Sequence, residues 1–260
     1  MALFDNWCDS DEEEDARKRY WSFSEKKGGR GAIRKPLAKK MRSHYDRLER
    51  IADDVARLGY KGAATILAAE IPKKPRARSG DLGEILATEL VEEKVKLSVP
   101  VRRLRYKDGR EMAMRGDDFI GAGYGTDDGK LWLLKGEAKS NKVLSKTIVT
   151  NARKVLNRDN GRCTPDSLLF VANRLLESTD EKEVALGRAI RDEVGCNSLR
   201  PGRIDHMLFT VSGNAPPAAL RDDLEAAGTE RDQYVVNLRI EDHQEFITEM
   251  YEEALNLGDV

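Results

Sequence analysis

The sequence predicts an α/β protein in which a mixed β-sheet lies between helices, preceded by a helical N-terminal extension. Three observations carry this. Apolar residues repeat with helical spacing up to about residue 79, and extended runs enter the pattern only after it. The first extended runs are separated by Asp-Gly turns, Lys107-Asp108-Gly109 and Asp127-Asp128-Gly129, which join antiparallel neighbours. The last two strands, 204–211 and 234–240, are separated by enough chain for a crossover, so the sheet should be mixed.

Taken in order, residues 1–33 mix acids, Trp7, Trp21 and Gly28-Gly29-Arg30-Gly31, and read as an irregular arm. Residues 36–58 read as a helix, because Leu48, Ile51, Val55 and Leu58 form one stripe. Gly59 ends it and 60–70 begins a second helix. Pro72 and Pro75 interrupt a basic run at 73–78 and mark a linker, dividing an extension (1–78) from a second domain (79–260). Asp81–Glu93 is expected as a helix with Leu82, Ile85, Leu86 and Leu90 on one face. Residues 97–106 and 111–124 look extended, Leu131–Lys135 is a short apolar strand, and helices are expected over 143–157, 165–178, 180–194 and 242–256. No internal repeat is visible.

The chain has 260 residues, 40% hydrophobic and 35% charged, which suits a globular protein with a solvated surface. The net charge of −1 announces no polyanionic partner, but its distribution is uneven. Residues 9–15 are acidic, 73–78 are basic, and 142–162 carry Lys142, Lys146, Arg153, Lys154, Arg158 and Arg162 against Asp159 alone. Cys8, Cys163 and Cys196 are far apart, and with His44, His206 and His243 show no zinc spacing, so a disulfide framework or structural zinc is not expected. Without an apolar run of membrane length or a signal pattern, the expected location is the cytoplasm.

Four charged residues form the candidate centre: Glu84 in the helix, Asp118 in the second strand, and Glu137 with Lys139 at the end of the third. Alternation puts residues 137 and 139 on one face, and an adjacent strand can bring Asp118 beside them. Phosphodiester hydrolysis needs this group. Carboxylate oxygens hold Mg²⁺ or Mn²⁺, the metal activates water, and a lysine orients that water or balances charge on phosphorus. Each member has a plainer reading. Asp81-Leu82-Gly83-Glu84 fits a capping box, Asp117-Asp118 fits an exposed turn, and Glu-x-Lys arises by chance in charged chains. What raises the motif is the strand Leu131-Trp132-Leu133-Leu134 running into it, since charge at a buried strand end is costly.

Gly83-Glu84, Gly116-Asp117-Asp118 and Gly136-Glu137-Ala138-Lys139 together resemble the PD-(D/E)xK nuclease superfamily. More narrowly, Ser79–Leu86 and Met114–Phe119 are similar to the DUF1837 family, which includes the HamA-like nuclease subunits of the Hachiman anti-phage defence system. The resemblance covers roughly residues 58–255. It implies a restriction-endonuclease-like mixed sheet flanked by helices and a Mg²⁺-dependent deoxyribonuclease. Glu84 would be the helix acid, Asp118 and Glu137 the central metal ligands, and Lys139 the catalytic lysine. It also implies a superfamily 2 helicase partner (HamB-like) that restrains and activates the nuclease. No proline precedes the first acid, and Gly116 and Asp117 stand there instead. Either Asp117 or Asp118 can be the ligand, and Gly-x-Asp phasing favours Asp118.

For DNA contact the candidates are Lys142 and Lys146, four apart on one helical face, and Lys73, Arg76 and Arg78 in the basic run. Ser145 and Thr147 either touch a phosphate or cap the following helix. Gly121–Gly125 lacks the setting of a dinucleotide loop, and His206 reads as a satisfied strand histidine. Competing functions are a non-cleaving subunit that binds DNA or the helicase, and an RNase.

Overall fold

A computed structural model describes residues 2–126 and 128–258. Its centre is a six-stranded sheet in the order β1-β2-β6-β5-β4-β3. The strands are β1 (Cys8–Asp15), β2 (Lys18–Glu25), β3 (Phe119–Tyr124), β4 (Leu131–Asn141), β5 (Ile204–Ser212) and β6 (Gln233–Arg239). The four central strands, β2, β6, β5 and β4, run parallel, and an antiparallel strand closes each edge. This is the expected mixed α/β sheet. The helices are α1 (Leu3–Trp7), α2 (Gly29–Tyr45), α3 (Leu48–Glu70), α4 (Pro75–Leu90), α5 (Lys146–Leu156), α6 (Pro165–Leu176), α7 (Glu181–Cys196), α8 (Ala219–Ala226) and α9 (His243–Leu255).

Strand alternation sorts the core into two faces. Phe23, Leu134, Ala138, Met207, Phe209, Val236 and Leu238 pack with residues of α1, α2, α4 and α9. On the other face, Leu133 and Ile204 pack with α6 and α7, while Leu208 and Val235 pack with α5 and α8. β5 is buried along its whole length, as expected of a strand covered on both sides.

Several segments differ from the sequence reading. The irregular arm expected over 1–33 contains α1 and the β1–β2 hairpin. Trp7 and Trp21 are buried, and Trp7 stacks on Phe246 of α9 with centroids 5.3 Å apart. β2 pairs parallel with β6, more than 200 residues away in sequence, so its partner is invisible to local pattern. The helix expected over 36–58 breaks at Asp46, whose extended backbone ends α2 and whose carboxylate accepts from the Arg47 N–H at 2.7 Å. Gly59 interrupts α3 as expected, with φ of 70°.

Residues 75–78 of the basic run are helical. Pro75 sits in the first turn of α4, which starts six residues before Asp81. The capping-box reading of Asp81 and Glu84 therefore falls away. Residues 97–106 are not a strand. They make one bridge, Ser98 to Ala122, and a 3₁₀ turn, Arg103–Tyr106. The backbone there is held by side chains: Arg105 donates to the Ser43 carbonyl and Lys107 reaches into the core. The extended run expected from 111 begins only at Phe119. Gly129, near the β3–β4 turn, carries positive φ, and Gly109 does not. Asp127 of that turn lies outside the described residues. Ser145 caps α5, accepting from the Ile148 N–H.

Candidate active site at the open edge of β4

The site arises from unequal strand lengths. The β3–β4 ladder ends at the pair Phe119–Gly136, whereas β4 continues to Asn141 because it keeps pairing with β5 through Ser212. Beyond Gly136, the β3-side edge of β4 is therefore free of the ladder. Asp118, one residue before β3, fills the first place there: its Oδ2 accepts from the Ala138 N–H at 2.8 Å. Glu137 and Lys139 lie on that stretch, on one face by alternation. The Lys139 ammonium donates to Glu137 Oε1 and stands 3.8 Å from Asp118 Oδ2. Three of the four predicted residues thus meet within one side chain's reach.

Glu84 comes from α4, which crosses the opposite face of β4. Ser79 donates to the Ser140 carbonyl at 2.9 Å, and a Cβ at Gly83 would lie 3.2 Å from that of Ser140. Close packing at Ser79 and Gly83 turns Glu84 toward the free edge, where its charge interacts with Asp118 and Lys139. Two other glycines of the motif have physical roles. Gly116 has φ of 91°, and a Cβ there would collide with Ser167 Oγ. At Gly136 a Cβ would run into the Phe119 ring.

The two adjacent acids are separated by direction. Asp117 is buried: its Oδ1 stands 3.6 Å from the buried ammonium of Lys135, and its Oδ2 accepts from the Thr164 N–H at 2.7 Å. Asp118 faces Lys139 and Glu137. Lys135 also donates to the carbonyls of Arg158 and Arg162 at 3.0 and 2.7 Å, so the Asp117–Lys135 pair anchors the loop.

Electrostatics mark the site as crowded with negative charge. Glu137 is 3% exposed. Burial, then Asp118, push its pKa up to about 7, against the pull of Lys139. Burial and Asp118 hold Glu84 well above the usual carboxylate range, with Arg103 opposing. Burial alone would make Lys139 a weaker base, but Asp118 and Glu137 outweigh it and raise its pKa. Two carboxylates this close repel unless a proton or a cation lies between them. Their hard oxygen donors suit Mg²⁺ or Mn²⁺, which commonly use one or two carboxylates and complete the shell with water. Among the described residues, no three His, Cys, Asp or Glu side chains are grouped around a common metal position. Asp118 and Glu137 are the carboxylates that could hold such an ion, and Glu84 acts on Asp118 from α4.

The basic candidates are distributed unevenly. Lys73, Arg76, Lys142 and Lys146 are exposed. Lys146 opens α5 and Lys142 precedes it, so the two do not share a helical face. Arg78 is engaged internally, donating to the Pro72 carbonyl at 2.8 Å and lying 5.0 Å from the Tyr251 ring centroid. Sequence reasoning missed Arg103 and Lys107, whose side chains turn inward beneath the site. Lys107 donates to both Asp81 oxygens at 2.9 Å, and Asp81 also accepts from the Tyr45 hydroxyl. The signal is present as an i,i+4 pair of cations, but the segment reads as extended. His206 is internal as expected, its Nε2 2.7 Å from the Gly161 carbonyl, and burial pushes its pKa down to about 3.

Fold and site together define an α/β protein with a nuclease-like mixed sheet and a carboxylate–lysine cluster at a free strand edge. The chain belongs to the HamA family, whose model matches residues 1–254. That membership makes it a subunit of the Hachiman anti-phage defence system, a multi-subunit assembly. No curated protein matches the chain. Among the described residues no helix is long and apolar enough to cross a membrane.

Proposed function

We propose that this chain is the nuclease of its assembly, a Mg²⁺- or Mn²⁺-dependent enzyme that hydrolyses DNA phosphodiester bonds. The observation that carries this reading is the Lys139 ammonium set against both Glu137 and Asp118 at the free edge of β4. Asp118 and Glu137 would hold the divalent ion, with Glu84 orienting its water shell. The ion, when bound, polarises the phosphate and lowers the pKa of an attacking water. Lys139 donates toward that water or toward a non-bridging phosphate oxygen, where negative charge builds in the transition state. Glu137 would have to be ionised to serve as a ligand and would give up its proton to do so. Exposed Lys73, Arg76, Lys142 and Lys146 supply phosphate contacts, and a superfamily 2 helicase subunit restrains and releases the activity.

The test is degradation of plasmid DNA in Mg²⁺ against EDTA, with the chain alone and co-expressed with the neighbouring helicase. Glu137→Ala and Lys139→Ala should each lower cleavage by on the order of 100-fold or more. Cleavage that survives either change removes the site from the reading. Metal-dependent loss of RNA but not DNA would make the protein an RNase. Intact DNA in both preparations would leave a binding subunit.

A further inference from the structure

We propose that Arg103 is a positioning residue that holds the Arg115–Asp118 loop, and through it the Asp118 carboxylate, in place beside Glu137. The proposal rests on the nuclease reading for its consequence in the reaction, but not for its geometry. Residues 107–118 contain no strand and no helix, so side chains must fix this loop. Downstream of Gly116 the anchors are clear. The Asp117 N–H donates to Ser167 Oγ at 2.9 Å, and the Asp117 carboxylate is held by Thr164 and Lys135. Upstream, Arg103 Nη2 donates to the Arg115 carbonyl at 2.6 Å. Gly116, at positive φ, is the hinge between the two anchors.

Arg103 is only 7% exposed, and its Nε is buried without a hydrogen-bond partner. A guanidinium so placed costs desolvation that a single carbonyl does not repay. Its charge is offset by acids around it: it acts on both Glu84 and Asp117. The same turn reaches α4, because Lys107, four residues on, is bound to Asp81. One short segment therefore ties the loop that carries Asp118 to the helix that carries Glu84. It fixes the separation of two acids that belong to no common element.

Amide hydrogen exchange and cleavage, measured on the full chain as Arg103→Gln and Arg103→Lys, test this. The informative amides are Asp117, bonded to Ser167, and Ala138, bonded to the Asp118 carboxylate. In Arg103→Gln both should exchange about tenfold faster, while amides of β5 and β6 keep their protection. Cleavage should fall by on the order of 100-fold, with a higher half-saturating Mg²⁺ concentration. Arg103→Lys keeps the positive charge, which Arg103→Gln loses, and should recover about a tenth of the wild-type rate. Unchanged exchange at Ala138 and Asp117 overturns the proposal. So does an equal rise across the whole sheet, which would mean general destabilisation, or wild-type cleavage and Mg²⁺ response in Arg103→Gln. If the wild-type chain cuts nothing, alone or co-expressed with the helicase, while Ala138 exchange still responds to Arg103→Gln, the nuclease reading fails and the loop-holding role stands.

Discussion

Glu137 shows how a single side chain can carry both a cost and a use. Its raised pKa, about 7, means that the folded chain binds a proton there more tightly than the unfolded chain does. Between the ordinary glutamate value and about 7, the unfolded state has already lost that proton. The Glu137 contribution to the stability of the metal-free protein should therefore fall as pH rises through that window, while buried His206, with its pKa lowered to about 3, contributes with the opposite sign below the ordinary histidine value. Thermal melts in EDTA at several pH values check this, and Glu137→Gln should flatten the decline. Part will persist, because Asp205 is held at about 7 by burial and contributes with the same sign. Added Mg²⁺ should restore the wild type above pH 7 and leave Glu137→Gln unmoved. The residue types of this centre are legible in the sequence, but the roles of Asp117 and Asp118 are not separable by phasing alone. Burial against Lys135 and Thr164 separates them.

β4 illustrates why element boundaries mislead. Its apolar run stops at Leu134, so the pattern ends it at Lys135. Pairing with β5 carries it six residues further, through the whole motif. Strand length is set by a partner some 70 residues away, which periodicity does not report. The Asp108-Gly109 signal fails for a related reason: the buried Lys107–Asp81 pair decides the local path. The motif glycines are legible as a set, and the structure supplies their causes. Gly116→Ala meets both positive φ and Ser167 Oγ, and Gly136→Ala meets the Phe119 ring. Each should destabilise by about 1–3 kcal/mol, read as a lower urea midpoint. Because Phe119 follows Asp118, Gly136→Ala should also lower cleavage in the fraction that remains folded.

Across the molecule, the largest departure from the sequence reading is the N-terminal arm. β1 is acidic and exposed almost throughout, without the alternation that identifies a strand, and its hairpin joins the sheet through a nonlocal parallel pairing. Only Trp7 and Trp21 hint at anchorage. Removing residues 2–25 would uncover the β6 edge and the Phe246 face that Trp7 covers. The truncated chain should aggregate or lose cooperative unfolding, as measured by light scattering and by near-UV circular dichroism.

Charge distribution decides the last question at this scale, because a protein of net charge −1 gains no long-range attraction to DNA from its total. Any attraction must come from local concentration of cations. The bond from Ser79 to Ser140 brings the start of α4 against the end of β4, so Arg76 and Lys142 belong to the same end of the sheet as the carboxylate cluster. The acidic β1 lies at the opposite sheet edge, separated from β4 by three strands. A phosphate backbone bound at the first edge, as proposed, would be kept away from the second. Neutralising Lys73, Lys74, Arg76, Lys142 and Lys146 together should weaken DNA binding and make its salt dependence shallower. The slope should change by about 0.9 for each phosphate that the variant no longer neutralises. Arg78 is left intact because its guanidinium is used inside the fold. Binding isotherms from low to moderate salt measure the slope. An unchanged slope would remove these cations from DNA contact, and reduced co-purification of the proposed helicase partner with the same variant would place them at that interface.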